Sequence, residues 1–98
     1  MTERQAEYRV PGQTQIREGA LLPFADPRYQ DPTGDEVREA LRRAGLTGAA
    51  AGELLGVSGR TIRKWIGEER KIPYSAWRLL LMLTGLVDDK DLQLAADR

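Results

Sequence analysis

Three cationic side chains recur along one side of a short predicted helix near the middle of the chain. At 100° per residue, Arg60, Arg63 and Lys64 fall together. The opposite side carries the large apolar residues of the same segment, which are Ile62, Trp65 and Ile66. Arginine can bridge the two acceptors of a guanine edge, and lysine supplies a point charge to a phosphate or to the same edge. The pattern therefore predicts a helix that is anchored by one face and contacts nucleic acid with the other.

Residues for most catalytic or metal-binding sites are missing from the sequence. The chain has no cysteine, which excludes a disulfide framework, and no histidine, which removes the commonest metal ligand and general base. Two acidic pairs, Glu68-Glu69 and Asp88-Asp89, lack a third ligand at a suitable spacing, and adjacent residues point in different directions on a helix. We therefore expect no enzyme activity, no cofactor, no metal site and no small-molecule substrate.

The cationic helix follows another short helix across a tight turn. We predict the first helix of the pair from a cap at Thr47 to near Leu55, and the second from a cap at Ser58 to residue 66 or 67. Gly56 permits the left-handed backbone that such a turn needs, and Val57 can fill the crevice between the helices. The spacing therefore predicts a helix-turn-helix unit.

The first helix of the pair must come close to the second where the two cross. Ala51 and Gly52 are small enough for that approach, and we expect Ala51, Leu54 and Leu55 to face the core. Gly48 and Gly52 weaken the helix by roughly 1 kcal/mol each relative to alanine. Packing against the rest of the domain has to hold this helix in place.

A longer helix is predicted before the pair. Thr33 and Glu36 have capping-box spacing, so the helix should run from Thr33 to about Ala44, with Gly45 as its stop. Its buried stripe is predicted at i, i+3, i+4 and i+7, which are Val37, Ala40, Leu41 and Ala44. Three charged residues are predicted to face water, namely Arg38, Glu39 and Arg42. Arg42 and Arg43 either approach the DNA backbone or only solvate this helix.

Another long helix is predicted after the pair, from a first turn that contains Pro73 to a stop at Gly85. Its apolar stripe comprises Trp77, Leu80, Leu81 and Thr84, and it is widened by Leu79, Met82 and Leu83 until most of the helix should be covered. Tryptophan at this spacing is more often a core residue than a base-stacking platform, so we expect Trp65 and Trp77 to be buried. A last short helix is predicted after Asp88 or Asp89, bearing Leu92, Ala95 and Ala96.

The amino-terminal third has a different composition from the rest. Residues 1–32 hold four of the five prolines and show no sustained apolar period, so we predict an irregular arm at 1–32 and one domain at 33–98. The apolar cluster Leu21, Leu22 and Phe24 should pack on the helical body or on a second copy of it. The arm's arginines, which are Arg4, Arg9 and Arg17, could follow the minor groove, join a dimer contact or belong to a disordered segment. The apolar cluster favours the dimer contact.

Charge is distributed unevenly along a chain whose formal net charge is zero. Residues 1–34 hold four basic and five acidic side chains, residues 35–78 hold nine and six, and residues 79–98 hold two and four. The basic excess therefore coincides with the helix pair, and the acidic excess lies at the two ends. A neutral total is thus compatible with a local cationic surface that binds nucleic acid.

The helix pair resembles the Cro and phage-repressor type of helix-turn-helix regulator, often called XRE-like. The resemblance covers about residues 35–86 and rests on a string of matching positions: Leu46-Thr47, Ala51, Leu55-Gly56-Val57-Ser58, Thr61-Ile62, Trp65 and Pro73 with its leucine-rich helix. It implies an all-α, lambda-repressor-like bundle of four or five helices, usually a homodimer on a pseudo-palindromic operator. Gly48 departs from the family, in which that position is often a polar residue that contacts a phosphate.

The resemblance also implies which residues contact DNA. The family's base- and phosphate-contacting positions fall on Ser58, Gly59, Arg60, Thr61, Arg63 and Lys64. After this helix, Arg70 and Lys71 could touch the DNA backbone outside the groove.

The leading prediction is a sequence-specific DNA-binding transcriptional regulator from a phage or mobile element, with helix 58–66 in the major groove of double-stranded DNA. Repression is favoured because no effector domain fits in the remaining length. The alternative is a protein-interaction module, such as an adaptor or antitoxin-like partner, with a degenerate helix-turn-helix. No signal peptide or bilayer-spanning run is visible in the sequence, so we expect a cytoplasmic protein with no membrane contact.

Overall fold

Five α-helices follow one another along residues 14–88, the part of the chain that the computed structural model describes. They are α1 (Glu18–Leu21), α2 (Gly34–Ala44), α3 (Gly48–Leu55), α4 (Gly59–Ile66) and α5 (Tyr74–Thr84). Within that range there is no strand, which confirms the predicted all-α fold. None of these helices is long and apolar enough to cross a membrane. The predicted last helix, along with Arg4 and Arg9, lies outside the described residues.

Local capping sets both ends of α2. The Thr33 side chain accepts a hydrogen bond from the Glu36 amide, and the Glu36 side chain accepts one from the Thr33 amide, which confirms the predicted capping box. Gly45 ends the helix in the left-handed conformation, at φ 71°. The predicted stripe is also confirmed, because Val37, Ala40 and Leu41 are buried and Ala44 packs against the core.

The core lies between α5 and the other helices. α5 packs against α2 and α3, and α4 packs against α2 and α3. Among residues 14–88, twelve buried apolar residues form this cluster: Ile16, Ala20, Val37, Ala40, Leu41, Ala51, Ile62, Trp65, Ile72, Trp77, Leu80 and Leu81. Both tryptophans belong to it, which confirms that they are core residues.

The segment before α2 is held to the helical body by side-chain hydrogen bonds. The indole Nε1 of Trp77 donates to the Ala20 carbonyl at 2.8 Å. The Arg78 guanidinium donates to the Leu21 and Leu22 carbonyls at 3.2 and 2.8 Å. These bonds satisfy carbonyl groups that the short helix α1 leaves without partners of its own. The described part of residues 1–32 therefore packs against α5, and the division into an arm and a domain at residue 32 stays a prediction.

Arg17 ties the same segment to α2. Its Nε and Nη2 atoms donate to the two oxygens of Glu36 at 2.8 and 2.9 Å. Burial by itself would raise the pKa of Glu36, but the hydrogen bonds from Arg17 and Thr33 lower it overall. Arg17 thus anchors the segment before α2 to that helix. This role was not among the three predicted for the arm's arginines, which were a minor-groove contact, a dimer contact and membership of a disordered segment.

For four side chains the prediction of burial or exposure was wrong. Glu39 was expected to face water, yet it is 1% exposed because Arg42 and Arg43 enclose its carboxylate. Leu54 was expected in the core and is 55% exposed, since α3 packs through Ala51 and Gly52. Leu79 and Leu83 also remain exposed, so α5 is covered on only one side.

Candidate nucleic-acid interface

The turn between α3 and α4 has the predicted left-handed residue. Gly56 adopts φ 78°, and the amides of Gly56 and Val57 both donate to the Gly52 carbonyl, at 2.8 and 2.9 Å. This pair of bonds closes the end of α3 and redirects the chain within three residues. The helix-turn-helix arrangement therefore forms where the sequence pattern placed it.

Close approach of the two helices requires a glycine at position 52. A Cβ atom at Gly52 would lie 2.5 Å from the Val57 carbonyl oxygen and 3.3 Å from the Gly59 nitrogen. Both neighbours are backbone atoms, one in the turn and one at the start of α4, so they cannot move aside as a flexible side chain would. The predicted need for a small residue at this crossing is confirmed and is specific to glycine.

The start of α4 is organised by its own side chains. Ser58 accepts a hydrogen bond from the Thr61 amide at 3.0 Å, and its hydroxyl lies 3.1 Å from the Thr61 hydroxyl. The first-turn amides of Gly59 and Arg60 have no intrahelical acceptors and lie at the positive end of the helix dipole. The amino-terminal end of α4 thus offers hydrogen-bond donors of the kind that bind an anionic oxygen.

The two faces of α4 are segregated by charge. Arg60 and Arg63 are exposed and Lys64 is half-buried, and all three line one shallow surface depression with Glu69. The apolar residues are turned inward: Ile62 and Trp65 are buried, and Ile66 packs against the core. This separation confirms the predicted anchoring face and the predicted cationic face.

The cations of α4 are not neutralised by their neighbours. Across residues 14–88, Arg60, Arg63 and Lys64 form no ion pair. Glu68, which could have paired with them, accepts a hydrogen bond from the Gly34 amide at 2.7 Å instead. It holds a left-handed conformation, φ 60°, that is uncommon for a residue with a side chain. The carboxylate is thereby directed to the start of α2, away from the cationic face.

The two cations after α4 have different surroundings. Lys71 forms an ion pair with Asp31 at 2.7 Å, and both side chains are exposed. Arg70 is exposed and has no ion pair within the described range. Exposed pairs of this kind contribute little free energy, so Lys71 can exchange its partner for a phosphate at small cost.

Arg42 and Arg43 both bind a glutamate of their own helix. The sequence had left their role open between an approach to the DNA backbone and solvation of the helix. Arg42 donates to both oxygens of Glu39 at 3.0 and 2.6 Å, and Arg43 donates at 2.7 Å. These arginines therefore neutralise a buried carboxylate of their own helix. The spacing of i, i+3 and i+4 was the signal that could have identified the cluster.

Arg78 was missed as a buried charge. It is 2% exposed, and it donates through Nε to the Tyr74 hydroxyl at 2.7 Å as well as to the carbonyls after α1. No local pattern indicated this residue, because its carbonyl partners lie 56 and 57 positions earlier in the chain.

Two curated relatives of the chain come from the class of transcriptional repressors. Both are named transcriptional repressor protein KorC and come from Escherichia coli. One is 53% and the other 48% identical over 62 residues, and each alignment covers 60% of this chain and 73% of the relative. No family model and no solved structure matches the chain. Identity at this level over most of the relatives' length shows that the chain belongs to the KorC family of transcriptional repressors.

Proposed function

We propose that this repressor binds DNA sequence-specifically through the helix-turn-helix α3–α4, with α4 inserted in the major groove, as the resemblance to the XRE-like group implies. The single observation that carries the proposal is the cationic face of α4, which is unpaired among residues 14–88 and lies opposite a buried anchor of Ile62 and Trp65. A helix needs both faces in order to be held by a core and still reach base edges.

Within this proposal the side chains divide into two groups. Arg60, Arg63 and Lys64 reach base edges or adjacent phosphates from the exposed face. Ser58, Gly59 and Thr61 bind a phosphate at the start of α4, where amides and hydroxyls converge. Arg70 and Lys71 contact the DNA backbone and position the protein without reading sequence.

The proposed DNA target is a pseudo-palindromic operator bound by a homodimer. A two-fold symmetric dimer would place its two α4 helices about one helical turn apart, roughly 34 Å. The names of the two KorC relatives support repression of transcription as the outcome. Origin from a phage or mobile element stays a prediction.

The test compares a base-reading arginine with a backbone-contacting one. After genomic-fragment selection and footprinting have defined the operator, gel shifts on operator and random DNA are run for Arg60→Ala and Arg70→Ala. We expect Arg60→Ala to relax base preference at one position at a cost of about 1–3 kcal/mol. Arg70→Ala should weaken binding to all sequences alike.

Arg38→Ala provides the matched control, because Arg38 is an exposed arginine on α2 outside the proposed interface. It should bind operator and random DNA as the wild type does. Equal losses on both DNAs for Arg60→Ala and Arg70→Ala would contradict the division between reading and positioning residues.

Salt dependence separates this function from the alternative of a protein-interaction module. If the cations of α4 release counterions from DNA, log K should fall linearly with log salt, with a slope of about −0.9 per phosphate contacted. Fluorescence anisotropy of labelled operator DNA at several salt concentrations measures this slope. An affinity that stays flat from low to moderate salt would instead favour the protein-interaction module.

A further inference from the structure

The acidic pair Glu68-Glu69 follows α4 and is divided by the turn that ends this helix. Glu68 adopts the left-handed conformation, φ 60°. The Glu68 amide donates to the Trp65 carbonyl at 3.2 Å, and the Glu69 amide donates to the Lys64 carbonyl at 2.9 Å. These bonds close the carboxyl end of α4 and redirect the chain there. The Glu68 carboxylate is thereby directed to the Gly34 amide, whereas that of Glu69 stays near α4.

The Glu69 carboxylate lies at the end of the cationic face of α4. A Cβ atom at Gly67 would be 3.7 Å from the Oε2 atom of Glu69. Helical periodicity puts Gly67 on the same side of α4 as Arg60 and Lys64. Glu69 also lines the surface depression that contains Arg60, Arg63 and Lys64. The cationic face therefore ends in a negative charge.

This carboxylate is not bound by the neighbouring cations. Glu69 is exposed, and within residues 14–88 it forms no ion pair. Holding an arginine or a lysine in place is therefore not its role. In a complex with DNA, a carboxylate at this position faces a polyanion and loses water, which weakens binding unless a hydrogen-bond donor meets it. DNA sequences that lack a donor at this point should therefore bind less tightly.

Base amino groups are the hydrogen-bond donors of the major groove. Cytosine presents its N4 amino group there and adenine its N6 amino group, whereas guanine O6, thymine O4 and the purine N7 atoms are acceptors. A carboxylate only accepts hydrogen bonds, so it selects the amino groups. Arginine and lysine only donate, so they select the acceptors. A face with both kinds of side chain can therefore distinguish more sequences than a purely cationic face.

We infer that Glu69 is a sequence-reading residue of this repressor and accepts a hydrogen bond from a base amino group in the major groove. The inference rests on the proposed function, in which α4 lies in that groove, and it adds an acidic residue to the cations proposed there. Cytosine is the expected base, because the adenine edge carries the N7 acceptor next to its amino group and N7 repels a carboxylate.

Selection of binding sites from a library of random double-stranded DNA tests the inference with the full chain. The wild type should select cytosine at one position of each half-site. Glu69→Ala should tolerate all four bases at that position and keep the other preferences. In gel shifts, the ratio of operator affinity to random-DNA affinity should fall about tenfold, as expected for the loss of one base contact. Far-UV circular dichroism establishes that the variant is folded.

Two further variants make the test specific to the carboxylate. Glu69→Gln carries an amide that can pair with N6 and N7 of adenine, so it should select adenine in place of cytosine. Glu18→Ala is the matched control, because it removes an exposed carboxylate from α1, outside the depression on α4. This control should select the same operator as the wild type and keep the same ratio of affinities.

The outcomes separate the base contact from a general charge effect. A wild-type preference for adenine that is lost in Glu69→Ala would support the inference with N6 as the donor. Identical base preferences of Glu69→Ala and the wild type at every position would overturn it. So would an equal gain in affinity of Glu69→Ala for operator and random DNA, because the carboxylate would then only repel phosphates.

The wild type distinguishes a failure of this inference from a failure of the proposed function. If the wild type selects an operator and Glu69→Ala selects the same one, only the role of Glu69 is overturned. If the wild type binds DNA with no base preference, the proposed sequence-specific function fails, and the inference fails with it.

Discussion

At the scale of single residues, the Glu39 carboxylate depends on two arginines of its own helix. Hydrogen bonds from Arg42 have the largest effect and, with those from Arg43, outweigh burial and hold the pKa of Glu39 at about 2, against an ordinary value of 4.5. The backbone amide of Thr14 donates to the same carboxylate at 3.3 Å. The cluster therefore stabilises α2 and also holds the backbone at Thr14 against this helix.

Replacing Glu39 with glutamine should change how stability depends on pH. Because the folded pKa is lowered, ionised Glu39 stabilises the folded state fully above pH 4.5, and this contribution is lost as the pH falls to about 2. Glu39→Gln should lower the free energy of unfolding at neutral pH by about 1.5–3 kcal/mol, the usual contribution of hydrogen bonds to a charged group. Urea titrations at several pH values should show that the difference in the free energy of unfolding between Glu39→Gln and the wild type becomes smaller towards pH 2.

Glu53→Gln is the control for this measurement, because Glu53 is an exposed glutamate on α3. The stability of Glu53→Gln should depend on pH in the same way as that of the wild type. Part of this dependence comes from Glu36, because its pKa is also lowered in the folded state. A constant offset of Glu39→Gln from the wild type at every pH would show that ionisation of Glu39 does not contribute.

At the scale of elements, the α3–α4 pair depends on one contact between backbones. The Gly52 backbone lies against Val57 in the turn and Gly59 at the start of α4. Gly48, in the same helix, has no such neighbour: a Cβ atom there would lie 3.8 Å from Ile62 Cγ2, an ordinary van der Waals distance. Position 52 therefore has no room for a side chain, whereas position 48 has room for a methyl group.

Alanine substitutions at these two positions should shift stability in opposite directions. Gly52→Ala forces a methyl group against the Val57 carbonyl and should destabilise the protein by about 1–3 kcal/mol, the usual cost of overpacking. Gly48→Ala fits without strain and should stabilise it by about 0.4–1 kcal/mol, because the unfolded chain loses freedom. Chemical denaturation measures both values, and shifts of the same sign would contradict the assigned role of Gly52.

At the scale of the whole molecule, the segment containing α1 is joined to α5 by two side chains. Trp77 and Arg78 bind three successive carbonyls, those of Ala20, Leu21 and Leu22. The Gln30 amide donates to the Gly19 carbonyl at 3.1 Å and closes the loop after α1. Residues 16–30 therefore belong to the same packed unit as the helix-turn-helix.

Arg78→Met should loosen that segment more than any other part of the described chain. The substitution keeps a long side chain but leaves the Leu21 and Leu22 carbonyls without their charged donor, at a cost of about 1.5–3 kcal/mol. Hydrogen exchange should show faster exchange of the Leu22 and Gln30 amides, while amides of α4 keep their relative protection.

Arg38→Met, at an exposed arginine of α2, controls for loss of a guanidinium in general. Its effect on stability should stay within about 0.5 kcal/mol. Uniform loss of protection throughout Arg78→Met would indicate that the arginine supports the whole core and has no particular role in holding α1.

The sequence by itself determined where the helices of the central bundle begin and end. Thr33, Thr47 and Ser58 cap α2, α3 and α4, as predicted, and Gly45 and Gly56 end α2 and α3 in left-handed conformations. Capping bonds join residues within four positions of each other, so their signals lie in adjacent letters of the sequence. The two faces of α4 were predictable for the same reason, since helical periodicity is a local property.

Only the tertiary structure decided which side of each helix is covered and which charges are buried. Leu54, Leu79 and Leu83 are exposed because burial depends on how α3 and α5 approach their neighbours. Arg78 is buried because its carbonyl partners come from a segment far away in sequence. The membership of Ser58, Gly59, Thr61 and the cations in a DNA-contacting site stays a prediction, because that contact requires a second molecule. Packing directions and long-range partners arise from the sum of many contacts, and no local spacing encodes them.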